Sequence, residues 1–282
     1  MPSKHTIQTQ TVALNNGIQI PQVGLGVYRA GHGGQTEAAV YRALEVGYRH
    51  VDTAHIYRNE AEVGSAIRRW CTETGEPQSS VFVTTKLWND HHGYDATLQA
   101  FEQSLSTLGL ETIDLYLIHW PVSELRVESW RAMERLLQEG RCRSIGVSNF
   151  TVRHLEELLE RTGVIPAINQ IEVHPFLQQR ATRAFCHQQG IIIEAYSPLT
   201  KGRHLDDARL KAVAAEVERS TAQVLIRWSI QHGMITLPKS SHPGRIAENA
   251  GVFDMELNAD QMARLDALDE GRRTAWDPTS VP

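Results

Sequence analysis

Four ionisable residues stand where apolar, strand-like runs give way to loops. Asp52 lies in His50-Val51-Asp52-Thr53-Ala54, which leads into Tyr57, Lys86 ends the run from Val81, and His119 ends the run from Ile113. In a parallel barrel the C-terminal rim of the strands is where sites are built, because its loops vary while the strands hold them rigidly. A carboxylate, a phenol, an ammonium and an imidazole gathered on such a rim point to proton transfer. Taken singly, each has an ordinary explanation: a rim tyrosine, a snorkelled lysine, a helix-capping aspartate and a satisfied core histidine.

The elements that would position these residues are legible as a pattern. Short apolar runs near residues 23–27, 50–54, 81–87, 113–120, 142–149, 168–173, 191–197 and 235–239 alternate with segments of helical period. Parallel strands each need a crossover helix, so this alternation predicts an α/β fold, a (β/α)8 TIM barrel. Thr11–Leu14 and Ile18–Ile20 flank Asn15-Asn16-Gly17, the signature of a hairpin that would cap the barrel floor. Leu98, Phe101, Leu105 and Leu108 form one helical stripe. Val152, Leu155, Leu158 and Leu159 form another, with Thr151 as N-cap and Gly163 as terminator. A further helix is expected from Asn258, with Gln261 completing a capping box, to near Gly271. No Pro- or Gly-rich linker divides the chain, so residues 1–282 are expected to form one domain with a tail at 272–282.

Composition narrows the classes. Hydrophobic residues at 41% and charged residues at 22% are ordinary globular usage, enough for a full core. A net charge of −5 without a run of like charges argues against a nucleic-acid partner. No apolar span long enough for a membrane appears, and the polar start from Met1 reads as no signal peptide. Three scattered cysteines fit a reducing compartment, so the cytoplasm is expected. The 13 histidines, the His91-His92 pair included, show no ligand spacing, so no metal is expected.

A second set of residues could hold an anion. Gly24-x-Gly26 lacks the third glycine of a dinucleotide fingerprint, because position 29 is Arg29. Gly26 instead reads as a place of close backbone approach at the rim. Lys239, Ser240 and Arg245 follow the last strand, and a helix beginning near Ser241 would offer free N–H groups. Two cations and a hydroxyl suit a ribose phosphate. Tyr196, before Ser197-Pro198-Leu199, could stack on an aromatic ring, and Ser148, Asn149 and Gln170 could bind an amide, although Ser148 and Asn149 are also good helix caps.

The chain resembles the aldo-keto reductases almost end to end. The resemblance lies in Val23-Gly24-Leu25-Gly26, Gly47-Tyr48-Arg49-His50-Val51-Asp52-Thr53-Ala54, Ile145-Gly146-Val147-Ser148-Asn149-Phe150, Asn169-Gln170-Ile171-Glu172, Ala195-Tyr196-Ser197-Pro198-Leu199 and Pro238-Lys239-Ser240. It implies that Asp52, Tyr57, Lys86 and His119 are a catalytic tetrad, and their joint match outweighs the ordinary explanations. Tyr57 would be the general acid for carbonyl reduction and His119 would orient the carbonyl. Lys86 is expected to lower the phenol's pKa and Asp52 to keep Lys86 charged. The resemblance also implies NADPH, its 2′-phosphate gripped by Lys239, Ser240, Ser241 and Arg245 with Glu248 and Asn249 near the adenine. Gly26, Ser148, Asn149, Gln170, Tyr196, Ser197, Pro198 and Leu199 would complete the cofactor site. Thr200-Lys201-Gly202 departs from the glycine that many relatives carry there, which leaves closure over the pyrophosphate open.

Tyr28, Trp88, Trp120 and Trp276, beside His119, would wall the substrate site, with core packing as their alternative. Tyr28 replaces the tryptophan common at its place. Only eight residues separate Pro121 from Trp130, shorter than in animal relatives with steroid-sized or prostaglandin substrates, which implies an open, shallow site. The pattern is most similar to the short bacterial branch with diketogluconate and glyoxal reductases, so small dicarbonyls, aldehydes and keto sugars or acids are the expected substrates. The tail would fold over the substrate mouth, and a monomer is expected. The alternative is a non-catalytic NADPH-binding protein or slow redox sensor on the same fold.

Overall fold

Asn15-Asn16-Gly17 turns β1 (Thr11–Ala13) back on β2 (Gln19–Pro21) as an antiparallel hairpin, with Gly17 supplying a φ of 84°. The computed structural model describes Ile7 and residues 10–282. The asparagines fasten the hairpin to the strand bottoms: Asn15 Nδ2 donates to the Pro166 carbonyl at 3.1 Å and Asn16 Nδ2 to the Arg143 carbonyl at 3.0 Å. Leu14 and Ile20 then pack with Phe82, Leu115, Leu117, Ala167, Ile168 and Ile235. The hairpin therefore plugs the barrel floor, as its sequence predicts.

Strand and helix alternate from there: β3 (Leu25–Gly26), α1 (Gln35–Glu45), β4 (His50–Asp52), α2 (Glu60–Thr74), β5 (Phe82–Leu87), α3 (Tyr94–Leu108), β6 (Ile113–Ile118) and α4 (Arg126–Gln138). They continue with β7 (Cys142–Ser148), α5 (Val152–Arg161), β8 (Ile168–Glu172), α6 (Arg180–Gln188), β9 (Ile192–Tyr196), α7 (Ala208–Glu216), α8 (Thr221–Gln231), β10 (Ile235–Leu237), α9 (Pro243–Ala250) and α10 (Ala259–Asp266). Strands β3 to β10 are parallel and pair in chain order. A parallel bridge between Val23 and Thr236, with Gly24 N donating to the Thr236 carbonyl at 3.0 Å, joins last strand to first. The fold is the expected (β/α)8 barrel.

Local chemistry explains the helix limits. Thr151 and His154 form a reciprocal cap at the start of α5, and Asn258 and Gln261 do so at α10. α10 stops at Asp266, short of the expected Gly271. Beyond it Asp269 accepts from Gln178 N, and Glu270 N and Arg272 N donate to the Phe176 carbonyl, so the chain is drawn onto the loop before α6. Two helices, not one, separate β9 from β10; Ser220-x-x-Gln223, a capping box at α8, is the sequence signal for the second. Among the described residues no helix is long and apolar enough to cross a membrane.

The larger apolar core lies between strands and helices, around Ile67, Phe101, Tyr116, Trp130, Phe150 and Trp228. Inside the barrel, above the apolar floor, the filling becomes polar: His50, Asp52, Thr84, Lys86, Gln170 and Glu194 are all buried. The close approach expected at Gly26 falls instead at Gly24. A Cβ on Gly26 would stand an ordinary 3.5 Å from the Leu237 carbonyl, whereas one on Gly24 would stand 2.5 Å from His50 Nδ1 and 2.8 Å from Leu237 Cδ2. Gly24→Ala is therefore expected to destabilise the barrel by about 1–3 kcal/mol through overpacking. Urea unfolding checks this, and an unchanged midpoint would contradict it.

Candidate active site

The strand ends bring Asp52, Tyr57, Lys86 and His119 together. Asp52 closes β4, Lys86 lies in β5, His119 follows β6, and Tyr57 sits in a single 3₁₀ turn, His55–Tyr57, after β4. Lys86 Nζ donates to Asp52 Oδ1 at 2.8 Å, to Oδ2 at 2.7 Å and to the Thr53 carbonyl at 2.7 Å, so all three of its protons are used. The ammonium lies 5.2 Å from the centre of the Tyr57 ring, and the His119 ring meets that ring edge-on at 5.6 Å.

Electrostatics depart from the sequence expectation at Tyr57. Burial, with the Asp52 charge adding to it, raises the phenol's pKa well above its ordinary 10.0. Lys86, paired with Asp52 and 5.2 Å from the ring centre, does not reverse the shift, so the expected net lowering is not found. Burial, reinforced by Lys86, lowers His119 well below its ordinary value, so the imidazole is neutral and can act only as a hydrogen-bonding group. Asp52 is raised by burial against the opposing pull of Lys86 and of Gln170.

A chain of hydrogen bonds ties the expected amide-binding residues to this centre. Gln170 Nε2 donates to Asp52 Oδ2 at 2.8 Å and to Glu194 Oε2 at 2.6 Å. Ser148 Oγ donates to the Gln170 carbonyl at 2.9 Å, Asn149 Nδ2 to the His119 carbonyl at 3.0 Å, and Tyr196 Oη to Asn149 Oδ1 at 2.8 Å. Neither Ser148 nor Asn149 caps α5, since Thr151 does. Asn149 and Ser197 both take positive φ, 64° and 49°, which turns the chain sharply at the ends of β7 and β9. Pro198 and Leu199 follow Ser197 above the rim, with Pro198 buried.

Lys239, Ser241 and Arg245 are exposed around the start of α9, and neither cation has an ion pair among the described residues. Ser240 Oγ accepts from His242 N at 3.1 Å, which shapes the turn into the helix. Farther along α9, Glu248 is exposed and Asn249 buried. Two features escaped sequence reasoning. Arg29 and Arg203 act electrostatically on Lys201, gathering three cations on the loops after β3 and β9. Glu194 sits in β9, inside an apolar run that gives no sign of its partner.

The proposed aromatic wall is on the rim rather than in the core. Tyr28 packs on Tyr57 at 5.0 Å, Trp88 on His119 at 5.3 Å, and Trp276 on Trp120 at 5.9 Å between ring centres. Tyr28 is 43% and Trp276 68% exposed, so neither is core packing. The tail is pinned by Glu172, whose carboxylate accepts from Thr274 N at 2.8 Å, from Ala275 N at 3.0 Å and from the Thr274 hydroxyl. Lys201 Nζ adds a bond to the Thr274 carbonyl at 2.7 Å.

Comparison with known proteins finds relatives along most of the chain. The profile of the Aldo/keto reductase family matches residues 22–270. The chain is 49% identical over 270 residues to the 9,11-endoperoxide prostaglandin H2 reductase of Trypanosoma cruzi, covering 95% of this chain and 94% of that protein. It is 46% identical over 271 residues to the glyoxal reductase of Bacillus subtilis, covering 96% and 97%. A crystal structure of a Bombyx mori aldo-keto reductase in complex with NADP superposes with a TM-score of 0.89 at 37% identity, covering 95% of each chain.

The Glu172 clamp makes a pH prediction. Burial alone would raise this carboxyl, but the bonds from His174, Thr274 and Ala275 outweigh it and hold the group at about 2 against an ordinary 4.5. Its folded pKa is depressed, so its contribution is complete above pH 4.5 and is lost as the pH falls toward about 2. Glu172→Gln should flatten the loss of melting temperature over that range and increase Trp276 mobility in fluorescence anisotropy. An unchanged acid slope would contradict the clamp.

Proposed function

The chain belongs to the aldo/keto reductase family, and we propose that, as one unit across residues 1–282, it reduces small aldehydes, dicarbonyls and keto sugars or acids to alcohols with NADPH. The observation that carries this reading is the buried Lys86–Asp52 pair beneath Tyr57, with neutral His119 edge-on to the phenol. Kinship with a glyoxal reductase supports small dicarbonyls. The rim is open, with Tyr28 and Trp276 exposed beside the short Pro121–Arg126 connection, which suits small carbonyl compounds.

The residues fit the cofactor. Lys239 and Arg245 are cations without ion pairs among the described residues, suited to the phosphate that distinguishes NADPH from NADH. Gln170 has both amide protons committed to carboxyl groups, so it can only accept, and a nicotinamide carboxamide would have to donate to it. Bound NADPH supplies the hydride to the carbonyl carbon. Tyr57 gives its phenolic proton to the carbonyl oxygen, and His119 donates a hydrogen bond that orients that oxygen. The Lys86 charge opposes, without overcoming, the burial that disfavours the phenolate left by proton loss.

Tyr57→Phe is expected to lower kcat about 10²- to 10⁴-fold, the usual worth of a positioned acid, with NADPH affinity close to wild type. Glyoxal-dependent loss of nicotinamide absorbance measures it, and substantial turnover by the mutant would sink the assignment. Lys239→Ala or Arg245→Ala should weaken NADPH far more than NADH in fluorescence titrations; equal losses would refute the phosphate contact.

A further inference from the structure

Two carboxyl groups share one amide inside the barrel. Gln170 sends one N–H to Asp52 and the other to Glu194, at 2.8 and 2.6 Å, and none of these three side chains reaches solvent appreciably. The only cation beside them, Lys86, is committed to Asp52 and the Thr53 carbonyl. Glu194 therefore has no positive charge of its own. Its other oxygen, Oε1, faces His50 Nε2 at 3.7 Å without a hydrogen bond, and His50 Nε2 bonds Thr84 Oγ1 at 3.1 Å. Burial, with Lys86 adding to it, holds His50 at about 3, so it is neutral and offers Glu194 no counter-charge.

Resting on the reductase reading above, we propose that Glu194 is a positioning residue that works as a neutral acid: it accepts a hydrogen bond from Gln170 Nε2, orients that amide, and leaves Asp52 as the sole negative charge on Lys86. Loss of its proton would place a second carboxylate on the same amide. The added negative charge would hold protons more tightly on its neighbours, raise the cost of forming the Tyr57 phenolate, and slow proton donation.

The groups facing Glu194 set when this happens. They are Asp52 and His50 from β4, Lys86 from β5 and Gln170 from β8. Burial first, and the Asp52 charge second, push Glu194 up to about 8, against weaker opposition from Gln170 and Lys86. Tyr57, raised well above 10.0, does not ionise in this range, so it would not itself produce a fall in rate near pH 8. Because the folded pKa of Glu194 is raised, its stabilising contribution is complete below the ordinary 4.5 and declines as the pH rises through about 8.

The test is the pH profile of kcat for glyoxal reduction in wild type, Glu194→Gln and Tyr57→Phe. Wild type should lose about fivefold in kcat over the unit above the Glu194 titration, whereas Glu194→Gln, which cannot ionise, should lose less than about twofold. Melting temperature should fall from pH 5 to about 8 in wild type and stay flatter in the variant. Superimposable kcat profiles, with Tyr57→Phe inactive, would overturn the role of Glu194 and leave the reductase reading standing. Turnover by Tyr57→Phe would overturn both. A measurement on wild type alone guards against misfolding of the variant: an infrared band of a buried carboxylic acid should vanish as kcat falls, and absence of that band at pH 7 would refute the proposal.

Discussion

The Asp52–Lys86 ion pair is the constraint around which the upper barrel is arranged. An ammonium with no solvent exposure survives only if every proton is accepted, and two carboxylate oxygens and the Thr53 carbonyl do this. Breaking such a pair costs about 3–5 kcal/mol, because the remaining charge is stranded. The polar filling around it follows. Gln170 satisfies the carboxylate from the far side, Glu194 closes the amide's second donor, and Ser148 holds the Gln170 backbone. Parallel strands make this possible by delivering these side chains from β4, β5, β8 and β9 to one level of the interior.

Above that level the rim is built from contacts that join distant parts of the chain. Glu172, at the end of β8, receives the backbone of Thr274 and Ala275, while Lys201 of the loop after β9 holds the Thr274 carbonyl. The loop flanked by the expected cofactor residues and the tail bearing Trp276 are thus fastened to one another. Trp276 in turn rests on Trp120, beside the end of β6. The position of Trp276 at the mouth thus depends on a buried carboxylate as well as on its packing against Trp120.

Much of this was legible in the sequence, for reasons that differ by residue. Hydrophobic runs of strand length locate β4 to β9 well because both faces of a parallel strand are buried. β3 and β10, two and three residues long, are harder to place, and the closing bridge at Val23 is set by geometry across the barrel. Lys86 and His119 are readable because each ends a run, and Tyr57 because it closely follows one. The partners of Gln170 were not readable: a glutamine near a strand end carries no sign of which carboxyls it will meet, and Glu194 stands among isoleucines. The sign of the Tyr57 shift was also hidden, since it depends on how deeply the fold buries the phenol and on its nearness to Asp52, which spacing along the chain does not encode.

The central claim, that a buried charge pair beneath Tyr57 powers carbonyl reduction, is tested most directly by NADPH consumption with glyoxal in Lys86→Met. Burial already raises Asp52, so it can take up a proton when the lysine is lost and the barrel can stay folded. The account predicts that the folded, NADPH-binding variant loses at least about 10²-fold in kcat, the lower end of what positioned proton transfer contributes. Turnover within about tenfold of wild type would contradict it.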